Sequence, residues 1–355
     1  MSETNPSVLH KIPKPVPSAD RYLTLDVLRG LAAVAVFLFH CVIRNPGWQD
    51  NALRFGAAGV DLFFIISGFV IYHALSKNGS IRGFLLKRVA RLYPAYWVAV
   101  TFTGSIILFQ SRGHFPPEFL ETYLGNLTMI QHMLGYPNLD EQYWTLEVEL
   151  LFYVVIGIIV WMGQIRHTAL IFSSALLIWI ILLLSDLIPS AVGLSFGHLA
   201  HLPLFLTGIL GHRILHKGID ANSVAYLIFA FAAALFLFDT GGRSQYYLIR
   251  WEYAGILALL TVLFLLSIFN RLTFLNTKIF LFLGRISYCF YLIHQYLSVR
   301  FLIPYMERSG VPEFIAIGFS FVTCCTVAQI LYRFVEKPVT IYVSRMMAKN
   351  EISLH

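Results

Sequence analysis

The chain has 355 residues, of which 57% are hydrophobic, 15% aromatic and only 13% charged. A soluble domain carries about a quarter of its residues as charge, so this chain cannot cover its surface as a soluble protein does. The net charge of +7 is distributed between apolar blocks, which argues against nucleic-acid binding.

The N-terminal stretch is polar and proline-rich (Pro6, Pro13, Pro15, Pro17) and reads as a disordered arm over 1–22, not as a cleavable signal. Beyond it, apolar blocks of near-spanning length predict about ten transmembrane helices, near 24–43, 58–76, 94–110, 144–162, 168–185, 199–215, 223–238, 252–269, 284–303 and 313–334. The expected fold is all-α, a polytopic transmembrane helix bundle over 23–340 with no soluble domain and a cytoplasmic tail over 341–355. Of the 26 Lys and Arg residues, 18 fall at one end of the spans and seven at the other, with Arg29 inside the first span. The basic end is therefore expected to be cytoplasmic, with both termini on it. Cys41, Cys289, Cys324 and Cys325 lie in or beside the apolar blocks without metal-ligand spacing, and read as small core residues.

Charged groups at membrane depth are costly, so each is a candidate for function. In the first span Arg29 and His40 are eleven residues apart, hence about 20° apart around the helix axis and about 16 Å apart along it. Taken singly they read as a snorkelling arginine and an interfacial histidine; taken together they mark one polar face. Asp26, one turn before Arg29, is placed to hold its guanidinium. Asp61 opens the second span at the level of His40. Glu149 follows about a turn and a half into the fourth span, with Glu147 expected to face water. A carboxylate beside His40 would orient the imidazole and raise its basicity, as a general base requires. The same three groups also read as ion pairs that fix helix packing.

Between the second and third spans, Arg88 and Arg91 lie one helical turn apart with Lys87 beside them. Such a cluster suits phosphate groups, although positive-inside topology alone also explains it. In the ninth span Ser287, Tyr291 and His294 form a stripe on one face that would line a cavity; for His294 a packing role is the alternative. His198 and His201 read as interfacial packing. The long segment 111–143 carries Phe119, Leu120, Tyr123, Leu124 and Leu127 at helical spacing, which predicts an amphipathic helix on the outer surface.

Six sequence segments together resemble the acyltransferase-3 family of membrane O-acyltransferases, over about 22–340. They are Leu25-Asp26-Val27-Leu28-Arg29-Gly30-Leu31-Ala32 with His40; Gly59-Val60-Asp61-Leu62-Phe63-Phe64-Ile65-Ile66-Ser67-Gly68-Phe69; Arg88-Val89-Ala90-Arg91-Leu92-Tyr93-Pro94; Tyr143-Trp144-Thr145-Leu146 with Glu149; Ile286-Ser287-Tyr288 through His294; and Val335-Glu336-Lys337-Pro338. The resemblance implies an acyl-CoA donor, acetyl-CoA first, used from the cytoplasm as a substrate; the sequence itself suggests no permanently bound cofactor and no metal. It implies an acceptor hydroxyl on a surface polysaccharide, lipopolysaccharide or lipid-linked sugar at the outer face of a bacterial inner membrane. The chain ends shortly after Pro338, so it is expected to be a stand-alone membrane version.

Geometry and resemblance together give each residue a role. Arg88, Arg91 and Lys87 hold the CoA phosphates and Arg29 the arm. His40 acts as base or is itself transiently acylated, with Asp61 and Glu149 beside it. Asp26, Trp144, Tyr291 and His294 contact substrate. The rival reading is a polytopic exporter of a glycan or small anion, against which stands the lack of matching broken spans in two halves.

Overall fold

The computed structural model describes residues 22–77, 81–185, 197–241 and 243–352. The expected disordered arm, save Tyr22, lies outside the described residues, as do the last three residues of the tail. All regular structure described is helical. The main helices are α1 Leu23–Val42, α2 Gly59–Ser76, α3 Ile81–Gln110, α4 Phe119–Asn126, α5 Trp144–Trp161, α6 Thr168–Leu184, α7 Leu202–Lys217, α8 Ala221–Phe236, α9 Arg250–Ile268, α10 Lys278–His294, α11 Ile303–Arg308, α12 Glu313–Leu331 and α13 Lys337–Ile352. Short 3-10 turns and one brief helical turn, Phe238–Gly241, connect them.

Among the described residues seven helical stretches are long and apolar enough to cross a membrane, and α8 is apolar but shorter. Helices α7 and α10 have 16 and 17 residues. At 1.5 Å per residue they cover about 24–26 Å, just short of a hydrocarbon core of about 30 Å. Each expected span therefore meets a helix, and the protein is a multi-pass membrane bundle.

Three boundaries differ from expectation. The basic stretch 82–92 is continuous with the third span, so α3 begins at Ile81 and runs through Pro94. Proline removes one ladder hydrogen bond, yet a helix packed on its neighbours tolerates that loss. Next to the proline, the Leu92 carbonyl accepts from the Tyr288 hydroxyl at 2.8 Å. The ninth and tenth spans each pass through a π-helical segment, Gln295–Leu302 and Tyr332–Glu336, and continue as α11 and α13. The expected surface helix is the two-turn α4. Its Phe119 and Tyr123 pack on Gly104 of α3, while Leu120 and Leu124 are exposed.

Two glycine seams set the helix spacing around the centre. A Cβ on Gly30 of α1 would stand 2.6 Å from the backbone nitrogen of Gly284 on α10, and one on Gly284 would stand 2.5 Å from the Asp26 carbonyl. A Cβ on Gly68 of α2 would come 2.2 Å from the Phe205 carbonyl of α7, and one on Gly208 would come 2.0 Å from the Ile65 carbonyl. Small residues let backbones approach where lipid supplies no hydrophobic drive. The first seam turns Arg29 toward Ser287 and Tyr291, so the glycines position the polar face that the spacing of Arg29 and His40 marks out.

Candidate active site

Two small cavities lie along this polar face, one behind the other. The inner one, about 40 Å³, is bounded by Arg29 of α1, Ser67 of α2, Thr145 and Glu149 of α5, and Ser287 and Tyr291 of α10. The outer one, about 60 Å³, is bounded by His40, Asp61, Gln142, Trp144, His201 and Tyr291, among others. Val60 and Tyr291 belong to both walls. Thr145 donates to the Tyr291 hydroxyl at 3.1 Å, which fixes that ring at the neck.

In the outer cavity His40 is half-buried and its ring centroid lies 5.4 Å from that of His294. His294 is fully buried, and its Nδ1 donates to the Tyr291 carbonyl at 2.8 Å. In the neutral ring this leaves Nε2 as the lone-pair nitrogen. His294 therefore packs against the histidine at the cavity and is not among the residues that line either cavity, contrary to the expected substrate contact. Asp61 is 2% exposed and shares a hydrogen bond with Tyr253 of α9. It shares the cavity with His40, but its partner comes from another helix. Trp144 forms one wall, with its ring centroid 5.0 Å from that of His201. His201, expected as interfacial packing, is thus part of the cavity.

Glu149 departs from the expected arrangement, because it lies in the inner cavity with Arg29 and not beside His40. Its Oε1 accepts from Tyr153 at 2.5 Å and from Ser67 at 3.4 Å. Glu149 therefore balances the basic cluster. Arg29 keeps a buried Nε with no hydrogen-bond partner among the described residues. It interacts electrostatically with Arg91, Asp26, Glu149 and Arg88. No ion pair within 4.0 Å joins Asp26 to it among the described residues, and Asp26 is exposed.

Towards the basic end, Arg88 and Arg91 face the bundle while Lys87 is exposed on another face of α3. Lys87 is therefore not gathered into the cluster as the sequence suggested. Arg88 lies over the rings of Phe84 and Tyr153 at 5.3 and 5.9 Å. Arg91 interacts with Glu336, Tyr153, Glu149 and Asp26. Glu336 is 7% exposed, in the second π segment, and accepts from the Cys289 thiol at 3.1 Å. Cys41, Cys289 and Cys324 are buried, as core residues should be.

The outer mouth is tied down by residues that sequence reasoning missed. Asn126 is fully buried; its amide donates to the Thr122 and Pro137 carbonyls at 2.8 and 2.9 Å and accepts from Leu139 at 3.1 Å. Asp140, 2% exposed, accepts from the Gln142 amide at 2.9 Å and from the Tyr296 N–H at 3.1 Å. Burial pushes its carboxyl up to about 8, against the lowering effect of the Tyr296 hydrogen bond. A carboxyl raised on folding stabilises the fold in its protonated form. That contribution is complete below the unfolded value near 4 and is lost as pH rises toward 8. Within this window each pH unit removes at most about 1.4 kcal/mol. We expect the melting temperature to fall between pH 5 and pH 8, and Asp140→Asn, which keeps an acceptor oxygen, to flatten that fall. A wild-type melt independent of pH across the window would contradict the assignment.

A multi-pass bundle with arginines at one end of a polar path and a histidine cavity at the other has the layout of a membrane-embedded enzyme. The chain belongs to the acyltransferase family: residues 22–333 match its acyltransferase domain. It is 26% identical over 363 aligned residues to O-acetyltransferase OatA of Staphylococcus aureus, an alignment covering 90% of this chain and 57% of that protein. It is 24% identical to the putative peptidoglycan O-acetyltransferase YrhL of Bacillus subtilis, covering 90% of this chain and 55% of that one. A shorter match, 31% identical over 37% of this chain and 23% of the relative, is to the peptidoglycan O-acetyltransferase OatA of Listeria monocytogenes. The chain thus spans little more than half the length of the relatives it matches from end to end. No solved structure matches it.

Proposed function

We propose that this chain is a membrane O-acetyltransferase that takes an acyl group from acyl-CoA, acetyl-CoA first, at its basic, cytoplasmic end. It passes that group to a glycan hydroxyl at the outer face of the plasma membrane. The observation that carries the reading is the pair of cavities meeting at Tyr291, the inner one lined by Arg29 and Glu149 and the outer one holding His40. Arg88 and Arg91 suit the CoA phosphates, and Arg29 suits the polar arm. The names of the relatives make peptidoglycan the first acceptor to try, with other surface polysaccharides and lipid-linked sugars next.

In this reaction His40 takes the proton of the acceptor hydroxyl as its oxygen attacks the thioester carbon. The new C–O bond forms, the C–S bond breaks, and the leaving thiolate recovers the proton from His40. Asp61 on the facing wall holds the acceptor, and Trp144 gives the sugar an apolar face. Transient acylation of His40 uses the same atoms in two steps, and a labelled acyl-enzyme would distinguish it.

The test is turnover by purified protein in lipid nanodiscs, using radiolabelled acetyl-CoA with and without a peptidoglycan or crude surface-glycan fraction. Label moving to the glycan is the expected result. A well-folded protein that consumes no short acyl-CoA under any acceptor would overturn the proposal.

A further inference from the structure

Three metal-binding side chains from separate segments meet at the far end, behind the wall of the outer cavity. His132 comes from the loop after α4, Glu147 from the first turn of α5, and His198 from the 3-10 turn Gly197–His201 before α7. Their ligand atoms all lie within 4.8 Å of one another. His198 Nε2 stands 3.4 Å from Glu147 Oε2. A tetrahedral zinc ion bound at about 2.0–2.2 Å keeps its ligand atoms about 3.3 Å apart, so this pair is already at ligand spacing.

Hydrogen-bond accounting also points to a cation. Glu147, which the sequence suggested would face water, is 1% exposed. Its Oε1 accepts from the Met133 N–H at 2.9 Å. Its Oε2 and the His198 Nε2 are both buried, and neither has a hydrogen-bond partner among the described residues. Lys and Arg form no ion pair with this carboxylate among the described residues. A buried carboxylate oxygen with no donor is costly unless a cation meets it. The rings around His198 hold it in place: Trp144 is stacked against it at 6.3 Å and 11°, and His132 meets it edge-on at 5.2 Å.

We propose that His132, Glu147 and His198 bind a divalent transition metal, Zn²⁺ first among them. Two imidazoles and one carboxylate suit that ion, and the exposed side of His132 leaves a fourth position open to water. The ion would staple the 127–140 loop to α5 and to the turn that carries His201, and so fix the Trp144–His201 wall. This proposal stands independently of the reaction assigned above. A second group, His73, His212 and His216, also converges at the basic end. The cavity beside it is lined by Arg166, Arg213 and Lys217, whose charge opposes a dication, so it serves as the comparison site.

The test uses the full chain without an affinity tag, stripped with a chelator and re-equilibrated with micromolar zinc. Bound metal is measured by mass spectrometry and the melting temperature is followed with and without zinc. We expect one equivalent in the wild type and a zinc-dependent rise in melting temperature. Glu147→Gln keeps an acceptor for Met133, and His132→Ala alters an exposed side chain, so both should fold. Each should weaken zinc by about tenfold or more and cancel the rise, while His216→Ala should change neither. Less than a tenth of an equivalent in the wild type would overturn the site and leave His198 and Glu147 as a direct pair. Undiminished loading in both Glu147→Gln and His132→Ala, or loading lost in His216→Ala, would overturn it equally.

Discussion

His40→Ala should abolish acyl transfer while the protein still folds and still binds acyl-CoA. A positioned general base is worth about 10²–10⁴ in rate, and a residue that is acylated in the course of the reaction is worth at least as much. The loss should therefore fall on kcat, with the KM for acyl-CoA nearly unchanged, because Arg88 and Arg91 lie towards the opposite end of the polar path. Folding should survive because His40 is half-buried beside a cavity, so its removal enlarges an existing space. His294→Phe separates base from support. It fills the buried position behind His40 but removes the Nδ1 donor to the Tyr291 carbonyl. We expect a smaller drop in kcat and a loosened neck. Turnover by His40→Ala at the wild-type rate would exclude both base catalysis and an acyl-histidine.

What the sequence revealed, and what it concealed, follows from how distance is encoded. Arg29 and His40 sit on one helix, where 3.6 residues per turn fixes both depth and direction, and the structure finds them on one polar face. Glu149 and Asp61 come from other helices. Residue counting gives their depth, but rotation about each axis and the tilt between helices stay free. Asp61 accordingly reached the His40 cavity, whereas Glu149 turned to Arg29. Glu147 deceived for a related reason. Two residues nearer the helix start suggested solvent, but the 127–140 loop folds over it and supplies the Met133 N–H. His132, Glu147 and His198 are separated by 15 and 51 positions, so no ligand spacing exists for a motif to reveal. Span boundaries slipped where the chain breaks the usual rules, through Pro94 inside α3 and through the two π segments that carry the ninth and tenth spans onward.

Arg91→Ala should weaken acyl-CoA use and destabilise the bundle at the same time, and a second substitution should separate the two effects. A charge-assisted hydrogen bond to a phosphate is worth about 1.5–3 kcal/mol, so KM for acyl-CoA should rise by about ten- to a hundredfold. The structural cost comes from Glu336, buried in the π segment after α12 and held in the field of Arg91 and Arg29. Breaking a buried pair in direct contact costs about 3–5 kcal/mol. Arg91 and Glu336 interact electrostatically with no ion pair within 4.0 Å among the described residues, so the loss should be smaller. Adding Glu336→Gln removes that stranded charge and keeps an acceptor for the Cys289 thiol. The double variant should therefore recover most of the lost melting temperature, while the KM for acyl-CoA stays raised. If both recovered together, Arg91 would be a packing residue and the donor phosphates would rest on Arg88 alone. If only stability recovered, Arg91 would stand as a donor-binding residue, and Glu336 as the buried carboxylate that its removal leaves uncompensated.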